Sequence, residues 1–183
     1  MDILAKLFGS EGIVRLMRIF LFHPGASYDT RTLREKTNLS SPALRKTGGL
    51  LLRIGFIKYK GAKFVLNAGF PYLASLRELL ISNLLQSIDI KNKIQKAGKF
   101  SVIFASGVLL DDREARTDLL LVGDRIDNKM LQKMIASIEA DAGTELRYAF
   151  FTTAEYQYRL SINDKLIRDI LDYTHVEIIN KLT

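Results

Sequence analysis

The chain has 183 residues, 48% hydrophobic and 26% charged, which is enough to bury a core in one domain or two small ones and excludes disorder along its whole length. It has no cysteine, which excludes a disulfide framework and a thiolate zinc site, and His23 and His175 are too far apart in sequence for an imidazole cluster, so no metal centre is expected. The net charge of +7 is unevenly spread: residues 1–97 carry 16 Lys+Arg against 6 Asp+Glu, or +10, and residues 98–183 carry 11 against 14, or −3, so the first half is suited to face a polyanion.

The opening stretch "MDILAKLFGSEGIVRLMRIFLF" lacks the uninterrupted apolar run of a signal peptide, since Arg15 and Arg18 break it at helical spacing. No segment reaches the roughly 18 to 20 apolar residues of a membrane span. With the missing cysteines, this predicts a cytoplasmic protein without a membrane partner. From Ser10, the apolar residues Ile13, Leu16, Met17, Phe20 and Leu21 form the stripe of an amphipathic helix that stops at Pro24-Gly25. A second short helix fits "TRTLREKTN", with Thr30 as N-cap, Leu33 inward and Asn38 as terminator. A third fits "SSPALRKTGGLLLRIG", with Ser41 as N-cap, Pro42 at the first helical position and Gly55 as the stop. Gly48-Gly49 falls inside it, and each glycine costs about 0.8 to 1 kcal/mol against alanine there. A bend, a short helix or the close approach of another backbone is expected at that pair. "FIKYKGAKFVLN" then alternates apolar and basic residues on both sides of Lys60-Gly61-Ala62, the pattern of a small hairpin.

Three helices followed by a basic hairpin resemble the ArsR-type winged-helix transcription regulators over residues 1–97, with the winged helix-turn-helix itself in 1–70. The resemblance implies that the third helix enters the major groove of double-stranded DNA, presenting Ser40, Ser41, Arg45 and Lys46 while Leu44, Leu51 and Leu52 hold it to the core. Lys58, Lys60 and Lys63 would contact phosphates from the hairpin, helped by Arg31 and Arg34. The alternative for the hairpin is a solvated edge whose lysines discourage strand pairing.

Residues 71–97 follow as a connecting helix with Leu73, Leu76, Leu80, Leu84 and Ile88 at helical spacing, widened by Leu79, Ile81 and Leu85. A helix this apolar is buried on more than one side. It is expected either to pack against its own neighbours or to form a homodimer suited to paired half-sites, the latter being preferred. The segment is expected to break up from Asp89 to Lys99, and the chain to divide there, with the second domain beginning at 98.

From Lys99 strands and helices alternate: "KFSVIFAS", "DLLLVGD", an amphipathic helix "NKMLQKMIASIEADAG" stopped by Gly143, "ELRYAFFT", a helix through "AEYQYRL" capped by Thr152 or Thr153, a helix "DKLIRDILDY" and a short strand "VEIIN". The expected class is α+β, with a small α/β domain at 98–183. Phe104-Ala105-Ser106, Asp118 and Val122-Gly123-Asp124 resemble the minimal nucleotidyltransferase fold. Members of that family carry glycine where Ala105 stands and a second aspartate where Arg116 stands, and take a third carboxylate from the next strand. Leu146 to Phe150 contain no acid, and Glu145 lies too near the strand's start. Two of the three carboxylates that hold paired Mg²⁺ are therefore missing, and the domain reads as degenerate, with no catalytic residue and no cofactor of its own. Ser106, Gly107 and Asp118 would form a nucleotide pocket to which Mg²⁺ arrives already bound to phosphate; the alternative is a domain kept for packing and assembly. The functional expectation is a DNA-binding transcription regulator. The rival is an active minimal nucleotidyltransferase whose winged helix selects its substrate.

Overall fold

The computed structural model describes residues 3–82, 84–112 and 114–182. The protein is a mixed α+β chain with two sheets, divided into two compact units: Met1–Asn83 with Glu139–Glu145, and Leu84–Ile138 with Leu146–Thr183. The division therefore falls at 83/84 and not at 97/98, and the last turn of one C-terminal helix belongs with the first unit. Among the described residues, no helix is long and apolar enough to cross a membrane.

The first unit runs α1 (Ile3–Leu7), α2 (Glu11–Phe22), β1 (Ser27–Tyr28), α3 (Thr30–Thr37), α4 (Ser41–Arg53), β2 (Ile57–Lys60), β3 (Lys63–Leu66) and α5 (Leu73–Ile81). α1 and β1 were not anticipated, being too short to show a period. The Ser10 side chain caps α2 by accepting from the Gly12 N–H, and Leu16, Met17, Phe20 and Leu21 are buried as the stripe requires. Asp29, not Thr30, caps α3, accepting from Thr32 N–H at 2.7 Å. Those hydrogen bonds, aided by Lys63, hold its carboxyl below the usual range. Asn38 ends α3 in the left-handed region at φ 54°. Ser40, one residue before the expected cap, accepts from the Ala43 N–H, and Pro42 takes the second helical position, where an N–H would also lack an intrahelical partner. The sheet has the order β1-β3-β2, all antiparallel, and covers a core that includes Phe20, Leu33, Leu44, Leu51, Phe56 and Leu80.

The 71–97 segment is not one helix. α5 is followed by α6 (Leu84–Ser87), α7 (Ile90–Ile94) and a 3-10 turn at Gln95–Ala97; Asn83 lies outside the described residues. Asp89 breaks the run by capping α7, accepting from Asn92 N–H. The leucine row is shared out accordingly, with Leu80 and Ile81 in the first unit's core and Leu84 and Ile88 buried in the second unit.

The second unit continues with β4 (Phe100–Ala105), a 3-10 turn (Gly107–Leu110), β5 (Leu119–Gly123), α8 (Asn128–Ala142), β6 (Tyr148–Phe151), α9 (Thr153–Ser161), α10 (Lys165–Asp172) and β7 (Val176–Asn180). Its sheet order is β6-β5-β4-β7. β4 lies antiparallel to β5 and β7, while β5 and β6 are parallel, as a crossover through α8 demands. β5 is buried at every position and β4 at all but Ser101, which explains their unbroken apolar runs. Val102, Phe104, Leu120 and Val122 meet Tyr156 of α9 and Ile167 and Ile170 of α10 on one face. α9 begins with a full capping box between Thr152 and Glu155. Asp124 reaches the same turn, accepting from the Thr153 N–H and hydroxyl at 3.1 and 2.6 Å; these bonds hold its carboxyl below the usual carboxylate range.

Candidate nucleic-acid interface

The hairpin sorts its side chains by register. Ile57 faces Leu66, Lys58 faces Val65, Tyr59 faces Phe64 and Lys60 faces Lys63. Directly opposed residues share a face and successive ones alternate. One face therefore carries Lys58, Lys60 and Lys63, and the other carries Ile57, Tyr59, Phe64 and Leu66. The Tyr59 and Phe64 rings lie 4.9 Å apart at 34°. Gly61, at φ 62°, makes the tight turn.

α4 exposes Arg45 and Lys46, with Ser40 exposed just before it and Ser41 half-buried at its first residue, while Leu44 and Leu51 are buried and Leu52 half-buried. The Ser40 hydroxyl accepts the capping N–H and keeps its own O–H to donate. On α3, Arg31 is exposed but paired with Glu35 at 3.0 Å, and Arg34 is exposed beside it. Arg34, Arg45, Lys46, Lys58, Lys60 and Lys63 form no ion pair among the described residues. Cations outside ion pairs suit phosphate contact, although Lys63 lies near enough to Asp29 to favour its charged form.

Gly48 and Gly49 do not break α4, which runs unbroken for 13 residues. No backbone approaches them either: a Cβ on Gly48 or Gly49 would meet nothing within 4 Å. They leave a groove between α4 and the apolar face of the hairpin.

The second candidate cluster lies at the opening of β5. Ser106, Gly107 and Asp118 are brought together, and their polar atoms are engaged. Asp118 is fully buried. Its Oδ1 accepts from Val108 N–H at 2.9 Å and Arg147 Nη2 at 3.0 Å, and its Oδ2 from Arg147 N–H at 2.7 Å and Nε at 3.1 Å. That carboxylate strengthens Arg147's hold on its proton. Gly107 is at φ 56°, and a Cβ there would fall on the Asp118 carboxylate. Ser106, 3% exposed, donates its hydroxyl to the Thr174 carbonyl at 2.8 Å. The arrangement clamps the 3-10 turn, β5 and the approach to β6 to one another.

Arg116 is 69% exposed and faces Asp169 at 3.7 Å, so the guanidinium on Asp118 is Arg147 and not Arg116. Arg147 stands in the segment searched for a third carboxylate, and its charge type there was the available signal. Arg18 was also missed. It is fully buried in the first unit, with Nε donating to the Leu80 carbonyl at 2.9 Å and Nη1 to the Asp141 carbonyl at 2.8 Å. Among the described residues, no group of three or more His, Cys, Asp or Glu is placed to hold a metal ion.

No protein-family model matches the chain, and neither a curated protein nor a solved structure is similar to it.

Proposed function

We propose that the chain is a DNA-binding transcription regulator of the winged helix-turn-helix kind, acting in the cytoplasm, in which α4 enters the major groove of double-stranded DNA and the hairpin β2–β3 follows the phosphates. The observation that carries this reading is the hairpin's segregation: three lysines on one face, in no ion pair among the described residues, beside an α4 that exposes Arg45 and Lys46. In this reading Ser40 and Ser41 with Arg45 and Lys46 meet base edges, and Arg34 and the hairpin lysines meet phosphates. Arg31 contributes after releasing Glu35. In this reading the second unit carries no catalysis, because the Asp118 carboxylate is engaged by four N–H donors.

The test is a salt titration of binding to generic duplex. Each phosphate contact contributes about 0.9 to the slope of log K against log salt. Replacing Lys58, Lys60 and Lys63 together by alanine is expected to lower that slope by about 2 to 3 with the thermal midpoint retained, since all three are exposed. An unchanged slope would remove the hairpin from the interface.

We also propose a homodimer, formed through the side of α5 that the first unit's core leaves over. Leu80 and Ile81 are buried, Leu76 is half-buried, and Tyr72 and Leu79 are 65% and 38% exposed. Leu79→Glu is expected to shift sedimentation at micromolar concentration from dimer to monomer. A wild-type chain that sediments only as monomer would end the proposal.

A further inference from the structure

We propose that the groove between α4 and the hairpin is a binding site for a small apolar carboxylate, an aromatic acid of one or two fused rings. The groove lies wholly within the first unit and encloses about 410 Å³, within the range of small-ligand pockets. Its walls are Leu33 of α3, Leu44 and Leu52 of α4, and Ile57, Tyr59 and Phe64 of the hairpin's apolar face. Gly48 and Gly49 form the floor, one turn after Leu44 and Arg45. Adjacent glycines are poor residues for the middle of a helix, and here no neighbouring backbone needs their missing Cβ atoms. What their absence does is keep the groove open to its full depth.

The chemistry of the lining selects the ligand. Two aromatic rings with centroids 4.9 Å apart and five aliphatic side chains, Leu16 of α2 included, favour a flat apolar body. Arg45 lines the same groove and makes no hydrogen bond or ion pair among the described residues. Its guanidinium is permanently charged and its fork matches a carboxylate. The hydroxyls of Thr30, Ser41 and Tyr59 are the other polar side-chain groups of the lining, and no acid is among the lining residues. A cation is therefore repelled, and a polyanion finds one charge among apolar walls. A single carboxylate on a ring system satisfies both parts. The consequence for function rests on the DNA-binding reading: a carboxylate on Arg45 occupies a side chain assigned to DNA, so the ligand and the duplex compete.

The experiment is calorimetric titration of the full chain with 2-naphthoate, with 2-naphthamide as the uncharged analogue and acetate as the charged one without rings. Naphthoate is expected to bind, naphthamide to bind at least 10-fold more weakly, and acetate to give no measurable heat. Arg45→Gln is expected to reduce naphthoate to the affinity of naphthamide. Gly48→Leu, whose Cβ would meet nothing within 4 Å and whose longer side chain would fill the groove, is expected to abolish binding while the chain remains folded. If Gly48→Leu does not fold, the smaller Gly49→Ala serves and is expected to weaken naphthoate several-fold. Absence of naphthoate binding to the wild type, or binding unchanged in a folded Gly48→Leu or in Arg45→Gln, overturns the site. Binding of naphthoate by a chain that ignores duplex at low salt leaves the site standing and removes the DNA reading; duplex binding without naphthoate does the reverse. Where both bind, duplex affinity that saturating naphthoate leaves unchanged overturns the competition.

Discussion

Gly107→Ala is expected to unfold the second unit's sheet opening at a cost of at least about 3 kcal/mol, the combined effect of a left-handed backbone and a side chain placed on a buried carboxylate. Gly107 sits at φ 56°, and a Cβ there would fall on the Asp118 carboxylate, which Val108 and Arg147 hold in place. Asp118→Asn tests the other half of the clamp. The amide keeps the size and one acceptor but turns an NH₂ toward groups that are all donors, and it removes the charge facing Arg147. A loss of about 3 kcal/mol is expected. Arg147→Ala should cost less, because its side chain is 51% exposed and its backbone N–H still reaches the carboxylate. Denaturant midpoints for the three variants, read with hydrogen exchange of β4 and β5 amides so that the units are followed separately, give the order Gly107→Ala and Asp118→Asn well above Arg147→Ala. A mild Asp118→Asn would mean that the carboxylate is available for a ligand, and would return the nucleotide pocket to consideration.

The same cluster shows where sequence reading reaches and where it stops. The helical stripe of α2, the hairpin and the unbroken apolar runs of β4 and β5 are local signals; burial follows the runs of β4 and β5 closely, while Ile13 of the α2 stripe is half-buried and Tyr59 of the hairpin is exposed. The candidate DNA-contacting residues of the hairpin are read from residue type and strand register, since exposure does not alternate there: Lys58, Tyr59 and Lys60 are all exposed. Caps slipped by one residue because Asp29 and Thr30, like Ser40 and Ser41, are both competent caps, and only backbone geometry chooses between them. The connecting segment misled because leucines at helical spacing cannot reveal that one row is divided between two cores. Asp118 and Arg147 are 29 residues apart, and nothing in either neighbourhood marks the pair. Arg18 sits in a position that a helical wheel shows as a polar interruption, yet it is fully buried. Its acceptors, the Leu80 and Asp141 carbonyls, lie 62 and 123 residues away.

That buried arginine sets the second large effect, expected at Gly143. The residue ends α8 at φ 78°, as a helix-stopping glycine does, but its surroundings ask for more than a permissive backbone. A Cβ on Gly143 would lie 2.6 Å from Arg18 Cβ and 2.7 Å from Ile19 N, and the segment Glu139–Glu145 belongs to the first unit. Asp141 fixes that segment further, taking Arg15 Nε at 2.8 Å on its side chain and Arg18 Nη1 at 2.8 Å on its carbonyl. The turn has little freedom to withdraw. Gly143→Ala is therefore expected to cost the first unit about 3 kcal/mol or more, visible as a lower denaturant midpoint and as faster exchange of α2 amides. Gly143→Asn separates the two causes. Asparagine tolerates the left-handed region, so a penalty from φ alone would shrink, whereas a penalty from contact with α2 would persist or grow. The contact also predicts that Arg18→Ala gives no rescue, because alanine retains the Cβ that Gly143 packs against and Ile19 N remains in place. Arg18→Ala would instead add its own loss of about 3 kcal/mol, from the emptied volume and the carbonyls of Leu80 and Asp141 that lose its donors. A Gly143→Ala/Arg18→Ala chain less stable than either single variant is the expected outcome of the cycle; recovery in the double variant would place the crowding on the arginine's outer side chain and not on the backbone of α2.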